Sequence, residues 1–83
     1  MKVLVVVTLK KGIADPVGKD LESKLKSYGL GGALVSTGKI FELEVDASNR
    51  QRAHRIVIEA AEKLLTNPVI ETFEVRFPRK KRR

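Results

Sequence analysis

The chain has 83 residues, no cysteine, no tryptophan and a formal net charge of +7 at pH 7. This length corresponds to one domain, and the lack of cysteine excludes disulfides and thiolate zinc sites. Lys and Arg number 17 against 10 Asp and Glu, but the last five residues are all basic. We therefore expect a nearly neutral domain over residues 1–77, followed by a flexible basic tail over residues 78–83.

Residues 2–9 predict a central β-strand that is apolar on both faces, because aliphatic side chains occupy odd and even positions alike. Those positions are Val3, Val5, Val7 and Leu9 on one face and Leu4 and Val6 on the other. A strand of this kind is usually covered on both sides. The run is too short for a membrane span, which needs about 18 apolar residues. It also lacks the cleavage site of a signal peptide.

The first helix is predicted to begin at Asp15-Pro16, since Asp caps free N–H groups and Pro suits the first helical position. Apolar residues follow at helical spacing, and Gly29 is a natural C-terminal stop. The apolar positions are Val17, Leu21, Leu25 and Tyr28.

Two strands joined by a tight turn are predicted next. Residues 33–37 read as a short strand, and Gly38-Lys39 reads as a two-residue hairpin turn with glycine at a positive φ. The following strand alternates, with Phe41, Leu43 and Val45 on one face and Glu42, Glu44 and Asp46 on the other.

The second helix is predicted from a capping box at Ser48–Gln51 to about Leu65. Its apolar stripe contains Ala53, Ile56, Val57, Ala60, Leu64 and Leu65. Asn67-Pro68 ends the helix, and residues 69–77 predict a last strand. On that strand Val69, Phe73, Val75 and Phe77 share one face.

The order β-α-β-β-α-β predicts a ferredoxin-like, two-layer α+β sandwich with a four-stranded antiparallel sheet in the order 4-1-3-2. Right-handed crossovers place both helices on one face of the sheet. The other face, here called the open face, would expose Leu4, Val6 and Ile70 between Glu42, Glu44 and Glu74. We expect this face to mediate self-association or docking, because exposed aliphatic side chains on a central strand need cover.

No residue pattern indicates catalysis or a bound cofactor or metal. His54 is the single histidine and has no evident nucleophilic partner. The segment Gly12–Asp20 only superficially resembles a phosphate loop, because its glycines are wrongly spaced and Asp15 would repel a phosphate at the helix start. Glu42 and Glu44 are explained by the polar face of a strand.

The basic tail leaves open a contact with RNA, an anionic membrane or an acidic protein surface. An RNA-binding sheet would carry several exposed aromatic residues, whereas the third predicted strand has only Phe41, in phase with buried positions. We weigh two alternatives: a ferredoxin-like RNA-binding module that uses the tail, and an ACT-like dimer that senses a small metabolite.

Three stretches in register resemble the PurS family. They are VVVTLK with the following Gly12 and DPVG (residues 5–18), GKIFELEV (residues 38–45) and EKLLTNPVIETFEV (residues 62–75). The resemblance covers roughly residues 3–75. The basic start of the second helix, at residues 50–55, and the basic tail depart from the pattern of the family.

The resemblance implies a non-catalytic subunit of phosphoribosylformylglycinamidine (FGAM) synthase, in the fourth step of de novo purine biosynthesis. It implies a cytoplasmic homodimer or homotetramer that bridges the glutaminase PurQ and the synthetase PurL and assists ammonia transfer. The chain itself would hold no cofactor, since ATP, Mg and glutamine are used by the partner subunits. The expected assembly or partner contacts are Val6, Gly38, Lys39, Asn67, Pro68, Val69, Ile70 and Phe73.

Overall fold

A computed structural model describes residues 1–78 as a three-stranded antiparallel sheet and two helices. The elements are β1 (Lys2–Leu9), α1 (Pro16–Ser27), β2 (Gly38–Glu44), α2 (Arg50–Ala60) and β3 (Glu71–Arg76). The helix α2 continues into a π-helical turn, Ala61–Leu65, so the predicted end near Leu65 is confirmed. The predicted tail residues 79–83 lie outside the described part of the chain.

The sheet has the order β2-β1-β3, and β1 is its central strand, as predicted. The side chains of Val3, Val5 and Val7 are at most 1% exposed beneath α2. Ala53, Val57 and Ala61 of α2 and the following turn are fully buried against them, and Val45 completes the buried core. Half-buried side chains surround this core: Phe41, Leu43, Ala47, Leu65, Phe73, Val75 and Phe77.

The helix caps agree with the sequence at α1 and differ at α2. Asp15 accepts a hydrogen bond from the Gly18 N–H at 2.9 Å, and Gly29 leaves α1 with a φ of 79°. The predicted capping box at Ser48 is wrong, because the residue that caps α2 is Asn49, whose Oδ1 accepts from the Arg52 N–H at 2.9 Å. Serine and asparagine are both good caps, so the residue types alone do not select between the two positions.

The predicted strand over residues 33–37 is absent from the sheet, and so is the Gly38-Lys39 hairpin turn. Gly38 and Lys39 are instead the first two residues of β2, opposite Thr8 and Val7 of β1. The three remaining strands keep the predicted order. The physical reason is competition for hydrogen bonds, because carboxylates near α1 accept the N–H groups of Val35 and Thr37.

The last strand is shorter than predicted, since residues 68–70 form a turn before β3. Val69 is 76% exposed in this turn and does not share the core face with Phe73, Val75 and Phe77. The Ile70 carbonyl oxygen accepts from the Lys10 N–H at 2.8 Å, which ties this turn to the end of β1.

The expectation that α1 packs on the same sheet face as α2 is also wrong. Within residues 1–78, no side chain of α1 belongs to the core or packs against it. The radius of gyration is 16.3 Å, against about 12 Å for a compact domain of this length. We call residues 10–37 the arm and residues 1–9 with 38–78 the body. Thr8 pairs with Gly38, so both ends of the arm leave the same end of the sheet.

Candidate assembly interface

The arm is held together by hydrogen bonds to one carboxylate. Asp15 Oδ1 accepts from the Gly18 N–H, while Oδ2 accepts from the Thr37 N–H at 2.7 Å. The Thr37 hydroxyl lies 3.0 Å and 3.1 Å from the two oxygens. These N–H groups, first that of Gly18 and then that of Thr37, lower the pKa of the Asp15 carboxyl, because they favour its charged form.

A second contact fixes residues 33–37 alongside α1. Glu22 Oε2 accepts from the Val35 N–H at 2.8 Å. The backbone of Val35 passes so close to Gly18 that a Cβ on Gly18 would lie 2.3 Å from the Val35 carbonyl oxygen. Glycine at position 18 is therefore required by a close approach of two backbones, and the arm keeps its shape without a core of its own.

Most apolar side chains of the arm are exposed. Val17 is 58% exposed, Leu21 41%, Tyr28 81% and Leu34 93%. The apolar spacing of these residues predicted a helix, and α1 confirms that prediction. Cover for these residues is missing within residues 1–78, which leaves an amphipathic helix with an unpartnered apolar side.

The body carries a matching uncovered region. Helix α2 packs over β1 and β3, and Phe41 and Leu43 on the core side of β2 are half-buried. Ile56 is 42% exposed and Leu64 is 81% exposed on α2 and the π-helical turn. We call this region the vacant half of the body; its residues are Phe41, Leu43, Ile56, Ala60 and Leu64.

The open face of the sheet lies on the side opposite α2. Leu4 and Val6 lie on this face, as predicted, but they are half-buried rather than exposed, and Ile40 beside Val6 is 64% exposed. Charged residues border this patch, among them Lys2 and Glu42, whose Nζ and Oε1 are 3.7 Å apart. Ile70, which was predicted for this face, lies in the turn before β3.

Most of the predicted contact residues gather at one end of the sheet. Gly38 and Lys39 begin β2 there, and the turn at Asn67, Pro68, Val69 and Ile70 precedes β3 beside them. Lys39 Nζ lies 3.5 Å from Glu71 Oε2, which joins the two groups. Asn67 Oδ1 accepts from the Val69 N–H at 3.1 Å, which shapes the turn. Phe73 packs against the core, and Val6 faces the open side.

The sequence reading missed several exposed residues of these surfaces. Ile40 was not assigned to a face, although its parity with Glu42 in the alternating strand signalled the open face. Ile56 and Leu64 were assigned to the buried stripe, whereas the core selects Ala53, Val57 and Ala61. Helical spacing alone does not separate the two neighbouring stripes.

The described residues contain little that suggests chemistry. His54 is exposed, and its ring stacks on Phe77 with centroids 6.2 Å apart. Among residues 1–78 there is no cluster of three or more side chains suited to a metal ion. In the same range no helix is both long and apolar enough to cross a membrane. Exposed apolar side chains are the prominent surface feature of residues 1–78.

Comparison with known proteins gives one consistent family. The model of the family "PurS: Phosphoribosylformylglycinamidine (FGAM) synthase" matches residues 2–79. The chain belongs to the PurS family. A PurS subunit of FGAM synthase from Archaeoglobus fulgidus is 41% identical over 75 residues, covering 86% of this chain and 90% of that protein. The PurS family member described here is thus a subunit of FGAM synthase, in purine biosynthesis.

Solved PurS structures share the fold. PurS from Methanocaldococcus jannaschii, a subunit of formylglycinamide ribonucleotide amidotransferase, is 32% identical with a TM-score of 0.82. It covers 90% of this chain and 92% of its own. A chain in the PurLQS structure from Thermotoga maritima is 37% identical with a TM-score of 0.83, covering 90% and 93%. The body alone is well under 90% of this chain, so the PurS likeness includes the arm.

Proposed function

We propose that this PurS chain bridges the synthetase PurL and the glutaminase PurQ and assists the passage of ammonia between them. The observation that carries the proposal is the likeness, over 90% of the chain, to a chain of the PurLQS structure from Thermotoga maritima. A connecting role also suits a small molecule with exposed apolar surfaces and few candidate reactive groups. ATP, Mg and glutamine would be used by the partner subunits, in the cytoplasm.

Self-association is the second part of the proposal. The open face around Val6 and Ile40 and the vacant half of the body are both apolar surfaces that a single copy leaves in water. A homodimer would cover one of them, and a homotetramer would cover both. We further propose that residues 33–37 add the fourth strand of a ferredoxin-like sheet once the subunit has assembled.

The test is a reconstituted assay of glutamine-dependent FGAM formation by PurL and PurQ, with and without this chain. We expect strong stimulation by the chain. The matched control is the same assay with an ammonium salt in place of glutamine, where ammonia transfer is bypassed and the chain should have little effect. Equal glutamine-dependent rates with and without the chain would refute the bridging role.

A further inference from the structure

We propose that the basic start of α2 docks on an acidic surface of a partner subunit, PurL or PurQ. We call Arg50, Arg52 and Arg55 the basic end of the body. This inference rests on the bridging role proposed above, and it specifies one contact of that role by its chemistry. The contact is particular to this chain, because the basic residues of the segment 50–55 depart from the pattern of the family.

The arginines of the basic end lack ion-pair partners. Arg50, Arg52 and Arg55 are exposed, and within residues 1–78 no carboxylate lies within ion-pair distance of any of them. Every other Lys and Arg of the body has such a partner; these residues are Lys2, Lys39, Lys63 and Arg76. The positive charge that the described body does not neutralise is therefore gathered at the start of α2.

The position of these arginines is unfavourable for the helix itself. The N-terminus of a helix carries a partial positive charge, which favours Asp and Glu in the first turn and disfavours cations. The first turn of α2 contains Arg50 and Arg52 and no acidic residue. Arg52 and Arg55 are three positions apart, so two like charges are neighbours on the helix surface. The stability of the fold does not explain this charge, whereas an acidic partner does, because its carboxylates would neutralise the repulsion.

The end of β3 adds positive charge to the same surface. The Arg50 guanidinium lies 4.7 Å from the centre of the Phe77 ring, and the His54 ring stacks on that ring at 6.2 Å. These contacts place Phe77 and Pro78 beside the start of α2. Residues 79–83 follow in the sequence and are all basic. Five residues span at most about 18 Å, so their charges stay near the basic end whatever path they take.

The basic end lies at the end of the sheet remote from the arm. β3 begins opposite Leu9, where the arm leaves the sheet, and it ends at Arg76 opposite Leu4. Phe77 is the next residue, and it contacts Arg50. The contacts expected from the family resemblance gather mostly at the end where the arm begins. One chain therefore offers two well-separated surfaces, as a subunit that bridges two partners requires.

An acidic protein surface fits the basic end better than RNA does. Proteins that bind single-stranded RNA stack its bases on exposed aromatic side chains. Within residues 1–78 the three phenylalanines are half-buried, Phe77 is already engaged by Arg50 and His54, and Tyr28 belongs to the arm. A guanidinium group, in contrast, binds a carboxylate through two parallel hydrogen bonds.

The shape of the basic end also suits a projecting acidic side chain. An open depression there is lined by Asn49, Gln51, Arg52, Arg55 and Ile56. A carboxylate that enters this depression meets two guanidinium groups and the amide of Gln51. We therefore expect an Asp or Glu of the partner to be the central contact of the interface.

Neutralising substitutions test the docking surface. Arg52→Gln/Arg55→Gln removes two positive charges and no ion pair within residues 1–78. The matched control, Lys19→Gln/Lys26→Gln, removes two exposed charges from the polar side of α1. The dissociation constant of each full chain for PurL and for PurQ is measured at about 0.1 M and about 1 M salt, where the Debye length is about 10 Å and about 3 Å.

We expect Arg52→Gln/Arg55→Gln to weaken binding to one of the two partners roughly 10-fold at the lower salt concentration. At the higher concentration the variant and the wild-type chain should bind nearly alike, because salt screens the contact. The control should change the dissociation constant by less than about threefold. Deletion of residues 79–83 should weaken binding to the same partner.

Thermal unfolding shows whether the arginines serve the fold instead. Removing cations from the start of α2 relieves repulsion, so the Tm of Arg52→Gln/Arg55→Gln should be unchanged or slightly raised. Weaker binding together with an undiminished Tm is the result that supports the docking surface. Weaker binding that is accompanied by a lowered Tm would assign the arginines to the fold and overturn it.

The remaining outcomes separate this contact from the bridging role. Equal binding of variant and wild-type chain to both partners would overturn docking through the basic end, while the glutamine-dependent assay still decides the bridging role. Tighter binding to poly(U) RNA than to either partner, lost in the same variant, would reassign the basic end to nucleic acid. A wild-type chain that binds neither PurL nor PurQ would refute the docking surface and the bridging role together.

Discussion

The body and the arm of this PurS subunit are ordered by different forces. In the body, Val3, Val5 and Val57 are fully buried, each at 0% exposure. The body is therefore ordered by a small hydrophobic core between a sheet and a helix. In the arm, Leu34 is 93% exposed and the chain is organised by the Asp15 carboxylate and by a close backbone approach at Gly18.

This difference in burial indicates which region can fold without a partner. Burial of an aliphatic side chain contributes roughly 1.5–3 kcal/mol, and the body has several such side chains beneath α2. A 12-residue helix such as α1 is marginal in water without tertiary packing. The arm therefore gains most of its stability from whatever covers Val17 and Leu21. For this reason we treat the arm as the assembling region and the body as the scaffold.

The largest expected effect separates the two regions with one kind of substitution. Val5→Asp puts an unpaired carboxylate in the centre of β1, between Phe41 and Val75 of its neighbours. We expect a loss above about 4 kcal/mol, close to the whole stability of a small domain. Val17→Asp, on the exposed arm, should leave the cooperative urea transition of the body in place. Similar losses in both variants would contradict the division into body and arm.

Gly18→Ala tests the close approach within the arm. Alanine normally stabilises a helix by about 1 kcal/mol relative to glycine, but here its Cβ would lie 2.3 Å from the Val35 carbonyl oxygen. We expect a net loss of about 1–3 kcal/mol, the usual cost of overpacking. Ser23→Ala on the same helix is the control and should be neutral or slightly stabilising. Amide exchange of Val35 and Thr37 measures the effect in both variants, and slower exchange in Gly18→Ala would show that residues 33–37 do not lie against α1.

The smallest effect concerns the pH dependence of the arm. The N–H groups of Gly18 and Thr37 lower the pKa of Asp15, so folding favours the charged carboxylate. The contribution of the Asp15 carboxylate to the stability of the arm is therefore complete above the unfolded-state pKa of about 3.9. This contribution is lost as the pH falls through the lower pKa of the folded state. Amide exchange of Thr37, followed by NMR on acidification, should show this loss. Asp15→Asn should exchange faster at neutral pH and lack the acid-dependent step.

The sequence predicted the elements whose pattern is local. Alternating or continuous aliphatic residues located β1, β2 and β3, and Asp15-Pro16 and Gly29 located the two ends of α1. The order of these three strands also followed from right-handed crossovers. In the candidate interface, the side of the sheet on which Val6 lies followed from the same alternation, whereas the exposure of Val69 and the gathering of Gly38, Lys39 and Asn67 to Ile70 at one end of the sheet were not predicted.

The remaining features depend on contacts that no local pattern reveals. Residues 33–37 look like a strand, but the acceptors for the N–H groups of Val35 and Thr37 are Glu22 and Asp15, 13 and 22 residues away. The stripe of α1 signals a buried side without saying which chain buries it. Ile56 and Ala53 are less than one helical turn apart in α2. The sequence alone therefore could not tell which of the two is buried against β1.

Concentration-dependent amide exchange of Leu34 and Ser36 tests the central claim most directly. If residues 33–37 pair with β2 of a second copy, these two amides should be protected at high concentration and should lose protection on dilution, while the amide of Val5 stays protected. Protection that does not change with concentration would mean that the arm folds onto its own body. Absence of protection at every concentration would mean that the fourth strand does not form.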